Sequence, residues 1–427
     1  MGEEIVVRHV VAERLHDVLL RLFGREAPVR IRAWDGSIAG PPDAPVVTVN
    51  SRRALRRLLW RPDELGLARA YVAGEVEVEG KLLDALERLA PFGRAIGRRP
   101  ELTAADRGEL LRTAALLGAV GPQPKPPAEE ITGAERRHGL VRDKTLTAAP
   151  DSSLGPPLLA RIYGSTMVHS TGYWTRPDAS LDEAQHAGLE HACRKLGLSP
   201  GMRVLDVGCG WGSFLIHAAE RYGVTGIGVT LSPHQAEIAT KRAVEAGLSD
   251  QVEFRLADWR DVGDGPFDAI AGSGMAEYVG PARLAEYART LYGLLRPGGR
   301  LLVHQVSARG ERVVEERSFI DAYVFPGAEL LTLGTIVDTF EGAGLEIRDL
   351  ETFREHYART LRAWIANLED AWDACLSQTS PGRLRVWHLY LALAALAFEL
   401  ARITVYQLVA VRPHADGRAD MPWARTE

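Results

Sequence analysis

The residues of this chain best suited to chemistry stand at the ends of apolar runs. Val204-Leu-Asp-Val-Gly-Cys-Gly-Trp-Gly212 brings Asp206 to the end of a strand-like run and follows it with glycines at 208, 210 and 212. Ser213-Phe-Leu-Ile-His-Ala-Ala-Glu220 then reads as a helix. Glycine lets backbone approach a ligand closely, and amides at a helix start can face it. The spacing is G-x-G-x-G, not the G-x-G-x-x-G of dinucleotide sites. It is the loop expected around S-adenosylmethionine, with the methionine part against Asp206, Gly208 and Gly210. Cys209 reads as packing or lining rather than as a nucleophile.

Ligands of open α/β sheets lie beyond the carboxyl ends of the strands, so the later run ends are read the same way. Val229-Thr-Leu-Ser-Pro-His-Gln235 lacks the ribose-binding acid of a dinucleotide enzyme. Thr230 and Gln235 offer neutral hydrogen bonds there, and Ser232 is placed to cap the next helix. In Ala257-Asp-Trp-Arg260, Asp258 would accept from the adenine amino group with Trp259 near the ring, or both are ordinary turn residues. Glu277, in Gly274-Met-Ala-Glu-Tyr-Val-Gly280, either binds a charged or hydroxylic group or is a plain surface carboxylate. His304 interrupts the apolar run Leu302–Val306 and must satisfy its ring nitrogens. It is either a satisfied core histidine or the partner of Glu277 across neighbouring strand ends. No third ligand stands beside the pair, so no metal site is read. Tyr357 can present its hydroxyl to the pocket, whereas Trp364 reads as core.

The elements that must position these residues alternate regularly. Strands are expected at 203–207, 224–229, 251–256, 267–271, 299–306, 345–351 and 403–411. Helices are expected at 182–196, 212–221, 232–246, 281–295, 333–343, 357–375 and 381–399. This rhythm indicates a mostly parallel sheet covered by helices. An aromatic insertion at 307–332 interrupts it and contains Ser318-Phe-Ile-Asp-Ala-Tyr-Val-Phe-Pro-Gly327, which would line an acyl pocket or close a lid. Upstream, residues 1–120 read as a small α/β domain with a helical connection. A helix over 1–24, strands around Val29–Trp34 and Pro45–Val49, and a turn at Asp35-Gly36 mark it. The proline-rich stretch from Gly121 makes 121–135 a linker, and 136–427 forms the catalytic domain. The segment 131–160 is read as a lid or mobile connection, with Pro156-Pro157 interrupting any helix.

Composition excludes little beyond the extremes. The chain has 427 residues, 46% hydrophobic and 25% charged, with a formal net charge of -5. That is ordinary for a globular protein and gives no global pull toward nucleic acid. Cys193, Cys209 and Cys375 form no close metal pattern, which fits a reduced cytoplasmic protein. No signal sequence is read at the start, and Leu389–Phe398 is too short to span a bilayer. Arg52, Arg53, Arg56, Arg57 and Arg61 form a basic run that would meet anionic lipid or is simply a solvated helix face.

Together these motifs resemble the cyclopropane-fatty-acyl-phospholipid synthase family of methyltransferases. The resemblance is carried by VLDVGCGWG at 204–212, GVTLSPHQ at 228–235, ADWR at 257–260 and GMAEYVG at 274–280. It continues through LVHQV at 302–306, SFIDAYVFPG at 318–327 and HYARTLRAW at 356–364. RIRAWDGS at 30–37 and LGLARAYVAGEVEVEG at 65–80 extend it into the N-terminal domain. It implies a Rossmann-like class I methyltransferase domain with a mostly parallel seven-stranded sheet. The N-terminal domain would serve lipid binding or dimerisation. The implied reaction moves a methyl from S-adenosylmethionine to the alkene of an unsaturated acyl chain on phospholipid, through a carbocation. A cyclopropane or a methylene branch results, and a partner reductase would saturate the branch. Tyr173, Trp174, Tyr323 and Phe325 would stabilise passing positive charge.

The resemblance also implies a bound bicarbonate as base, held by Glu277, His304, Tyr357 and the backbone of Val306. Thr171 stands in the place of the family's cysteine and still offers a hydroxyl. Other positions depart from the pattern. Glu277-Tyr278 replaces a Glu-His pair, Asp151–Pro157 replaces a His-Tyr-Asp motif, and Ala394 lies where some members carry cysteine. These departures keep two further readings in view: a carbon methyltransferase for a specialised unsaturated metabolite, and a non-catalytic binding module. A homodimer and transient contact with the inner face of the membrane are the implied associations, without nucleic acid.

Overall fold

The protein is described from a computed structural model covering residues 11–23, 28–96, 103–131, 156–310, 318–326 and 329–423. The expected lid at 131–160 and the stretch from Asp151 therefore lie mostly outside the described residues. So do the first ten residues of the expected N-terminal helix and parts of the insertion. Chain contacts divide the molecule into two compact units. The first comprises Met1–Thr132, Arg317–Val324 and Ser380–Leu396; the second comprises Gly133–Glu316, Phe325–Thr379 and Ala397–Glu427.

In the first unit, β1 (Arg30–Ala33), β2 (Ile38–Ala39), β3 (Val46–Val49) and β4 (Val76–Val78) form a sheet in the order β2-β1-β3-β4. Gly36 takes a positive φ of 82° and closes the β1–β2 turn onto the Ala33 carbonyl. Leu15, Ile31, Leu55, Ala114 and Leu117 supply the core. Of the basic run, Arg57 is buried, while Arg52 and Arg53 are exposed. The buried Arg57 guanidinium grips Glu75 at 2.7 and 3.2 Å, and Arg53 reaches the same carboxylate at 3.3 Å. Arg56 donates to the Ala119 and Val120 carbonyls, and Arg61 pairs with Asp63.

The second unit holds the seven-stranded sheet. Its strands are β5 (Arg203–Val207), β6 (Thr225–Thr230), β7 (Val252–Leu256), β8 (Phe267–Ser273), β9 (Leu295–Ala308), β10 (Glu346–Thr352) and β11 (Ile403–Val411). Their order is β10-β11-β9-β8-β5-β6-β7. β5–β9 run parallel, and β11 is antiparallel to both of its neighbours. β9 is longer than its apolar run suggests, because β11 pairs with it from Arg300 to Ala308. Two apolar layers cover the sheet. One contains Leu205, Phe267, Ile270, Tyr287 and Phe340, the other Cys193, Leu196, Leu215, Leu302 and Val409. At roughly 1.5–3 kcal/mol per large buried side chain, these layers fix the strand ends in space.

Local signals set the helix bounds. The helix Leu181–Leu196 starts on a Ser180–Glu183 capping box and stops at left-handed Gly197. Ser232 caps Pro233–Glu245 by accepting from the Gln235 amide. Pro156 and Pro157 begin the helix Pro156–Tyr163 instead of interrupting one, since the first turn needs no intrahelical N–H. The expected helix at 357–375 starts earlier and divides at Ala371 into Arg354–Asp370 and Trp372–Leu376. No helix among the described residues is long and apolar enough to cross a membrane.

Candidate active site

The glycine loop follows β5. Gly208, Gly210 and Gly212 all have positive φ, at 77°, 53° and 80°. A Cβ on Gly208 would strike the Met275 sulfur, and one on Gly212 would strike the Phe254 ring. One on Gly210 would meet nothing within 4 Å, so this glycine faces open space. The Val229 carbonyl accepts from the Gly208 and Cys209 amides and ties the loop to the end of β6. Burial drives the Cys209 thiol well above its ordinary range, in keeping with a packing role. Asp206 is buried, and among the described residues no hydrogen-bond donor reaches its carboxylate. Desolvation raises its pKa to about 7. A cationic ligand group beside it would relieve that cost.

At the next two strand ends, Thr230 and Asp258 bond within the protein. The Thr230 hydroxyl donates to the Gln235 side-chain oxygen at 2.8 Å and accepts from the Ser232 amide. Asp258 caps a single 3-10 turn, and both its oxygens accept from the Arg260 guanidinium at 2.7 Å. Trp259 is buried and stands edge-on to Tyr287, with Arg260 over its ring. The turn chemistry read as one alternative for Asp258 is present in its bonds to Arg260.

The fourth and fifth strand ends differ. Glu277 lies on the short helix Ala276–Val279 after β8, and His304 lies on β9 paired with Ser273. The Gly274 amide donates to the His304 carbonyl at 2.8 Å, which joins the two segments. Glu277 Oε1 accepts from the Val306 amide at 3.0 Å. That bond aims the carboxylate. Glu277 Oε2 and His304 Nε2 are buried and have no hydrogen-bond partner. Desolvation raises Glu277 to about 7. It lowers His304 to about 4, helped by the Lys195 charge. At neutral pH the imidazole is therefore uncharged.

The Tyr357 phenol feels the Glu277 charge. It lies on Arg354–Asp370 and packs against Phe398 and Trp364. Burial raises its phenol well above the ordinary range, and the Glu277 charge adds to that shift. The fully buried Tyr287 feels the charges of both Asp206 and Glu277. Sequence reading missed it, because one tyrosine on an amphipathic helix carries no special signal. Thr171 is buried, but its hydroxyl donates to the Gly172 carbonyl at 2.9 Å, so its proton is engaged. Tyr323 belongs to the first unit, where its hydroxyl donates to Glu130 at 3.0 Å beside the Arg69–Glu130 ion pair. Tyr173 stacks between His191 and His356, and Trp174 lies under Arg359. Tyr278 and Phe325 meet edge-on. Trp364 is core, as read.

The chain is similar to known proteins over most of its length. Residues 152–408 match the family model of mycolic acid cyclopropane synthetase. The chain is 35% identical over 406 residues to a probable fatty acid methyltransferase from Pseudomonas putida, covering 94% of this chain and 96% of the relative. It is 34% identical over 264 residues to the cyclopropane-fatty-acyl-phospholipid synthase of Escherichia coli (strain K12), covering 62% and 67%. Among solved structures, it resembles mycolic acid cyclopropane synthase CmaA1 complexed with SAH and CTAB. The TM-score is 0.59 at 28% identity, over 62% of this chain and 97% of that one.

Proposed function

We propose, from the premise that this chain belongs to the cyclopropane-synthase family of S-adenosylmethionine-dependent methyltransferases, that it methylates the alkene of an unsaturated fatty acyl chain. The observation that carries the chemistry is the buried, unpartnered pair Glu277 Oε2 and His304 Nε2 beside the glycine loop's end of the sheet. Bound S-adenosylmethionine supplies an electrophilic methyl on a positively charged sulfur. Asp206 and the open face at Gly210 are the protein's contribution to holding its amino-acid end.

The alkene π electrons form the new carbon–carbon bond as the carbon–sulfur bond breaks, and the neutral thioether leaves. The acyl chain is then a carbocation, which the protein must shield from water. Loss of one proton from the added methyl closes a cyclopropane. Loss instead that re-forms a double bond leaves a methylene branch, which needs a separate reductase to become a methyl branch. Glu277, His304 and Tyr357 fit a small hydroxylic anion such as bicarbonate, which would supply a base for that proton. Protonated Glu277 and the Tyr357 hydroxyl donate, and neutral His304 donates or accepts. Thr171 adds only lone pairs while its proton serves Gly172. An acyl phospholipid resides in a bilayer, so the enzyme would meet it at the membrane surface.

The test is incubation of the purified protein with S-adenosylmethionine, bicarbonate and vesicles of a monounsaturated phosphatidylglycerol. The expected product is an acyl chain one CH2 heavier, and NMR separates a cyclopropane from a methylene branch. Cofactor binding without any heavier acyl chain would overturn the reading.

A further inference from the structure

Glu277 is the second residue of the helix Ala276–Val279, so its side chain goes where the start of that helix goes. The first amides of a helix have no carbonyl within it to bond. Serine, threonine, aspartate or asparagine at the N-cap commonly takes one. Here the N-cap is Met275, which makes no side-chain bond. The partner comes from another element. Gln305, buried on β9, accepts from the Ala276 amide through Oε1 at 2.9 Å. The other end of its side chain is also used. Val306 lies past Ser273–His304, the last pairing of β8 with β9. There the Val306 amide donates to Glu277 Oε1 at 3.0 Å, and the Val306 carbonyl accepts from Gln305 Nε2 at 3.0 Å. Both polar groups of Val306 are thus met by side chains where β8 has ended.

The two partners of Gln305 fix which way its amide lies, because an N–H only donates and a carbonyl only accepts. A flipped amide would set donor against donor and acceptor against acceptor. The loop of bonds from the Ala276 amide through Gln305 and Val306 to Glu277 closes on itself. It leaves Glu277 Oε2 as the carboxyl atom without a partner. We propose that Gln305 is a positioning residue: by clamping the Ala276 amide to the Val306 carbonyl, it holds Glu277 with one oxygen engaged by the protein and the other presented to the reaction. This rests on the methyl-transfer reading above. Tyr287, on Pro281–Leu294, and Tyr357, on Arg354–Asp370, feel the Glu277 charge, and His304 precedes Gln305 on β9. Against the desolvation that raises Glu277, the Gln305 amide acts to lower it. Removing that amide should therefore push the Glu277 titration to higher pH.

Two variants test it in the full chain, with thermal unfolding and S-adenosylmethionine binding reporting the fold. Gln305→Met keeps the length and removes both bonds. Gln305→Glu keeps the acceptor but has a donor only while protonated, and serves alone if the methionine variant does not fold. The direct readout is the infrared C=O stretch of protonated carboxyl groups, followed against pH in ligand-free protein. The Glu277 band is assigned by its loss in Glu277→Gln. In Gln305→Met its midpoint should move to higher pH. The same variant should lose about 10- to 100-fold in kcat with the KM for S-adenosylmethionine unchanged. The kcat of Gln305→Glu relative to wild type should rise as pH falls, because the protonated carboxyl reproduces the amide's donor and acceptor. A Glu277 midpoint or a kcat that stays at the wild-type value in Gln305→Met would overturn the inference. So would a Gln305→Glu to wild-type ratio that is flat with pH. If wild type transfers no methyl to lipid, the functional reading falls, while the infrared comparison still decides whether Gln305 sets Glu277.

Discussion

The residues singled out on the two halves of the sheet's carboxyl edge differ in how their polarity is met. Beyond β6 and β7, Thr230 bonds Gln235 and Asp258 bonds Arg260, although His234 Nε2 is buried without a partner. On β9 and just after β8, His304 Nε2 and Glu277 Oε2 are buried without one. Asp206, at the end of β5, is also buried, and desolvation raises its pKa to about 7. A buried polar group without a partner is costly and persists where a ligand completes it. The contrast separates residues that build the rim from residues that wait for substrate, which residue type alone does not do.

The sharpest way to break this contrast is to remove the unsatisfied pair. Glu277→Ala and His304→Ala should each lower kcat for methyl transfer by about 10²- to 10⁴-fold. Cofactor affinity, measured by calorimetry, should change far less. A matching loss of affinity would place the pair in the cofactor site and erase the distinction. Next in size is Asp206→Asn. Losing a charge-assisted hydrogen bond should weaken S-adenosylmethionine binding by about 10- to 100-fold. Unaltered affinity would show that the raised Asp206 pKa reflects burial alone.

The same contrast explains what the sequence revealed. Strand ends were legible because apolar runs stop where the sheet stops, and β5 and β11 have the bounds expected. Asp206, Glu277 and His304 stood out as polar residues at those ends. Their partners did not, because pairing is a property of the fold. Arg57 is buried on Glu75, and the Tyr323 hydroxyl donates to Glu130, pairings that residue type alone does not announce.

The smallest effect concerns stability and has a definite sign. Glu277 titrates near 7 in the fold against an ordinary carboxyl value of 4.5. Between those values the folded protein holds a proton that the unfolded chain has released, so stability falls as pH rises through that window. Below 4.5 both states are protonated, and above 7 neither is, so the contribution is constant there. His304 does the reverse. Its value is lowered from 6.5 to about 4, so its contribution rises with pH across that range and is complete above it. Glu277→Gln removes the first term and leaves the second. The ligand-free variant should match wild type near pH 4.5 and exceed its melting temperature by on the order of 2–4 °C at pH 8. Melting curves that run parallel across pH would mean that Glu277 is hydrated and titrates normally. The waiting carboxylate would then be an ordinary rim residue, no different in kind from Thr230.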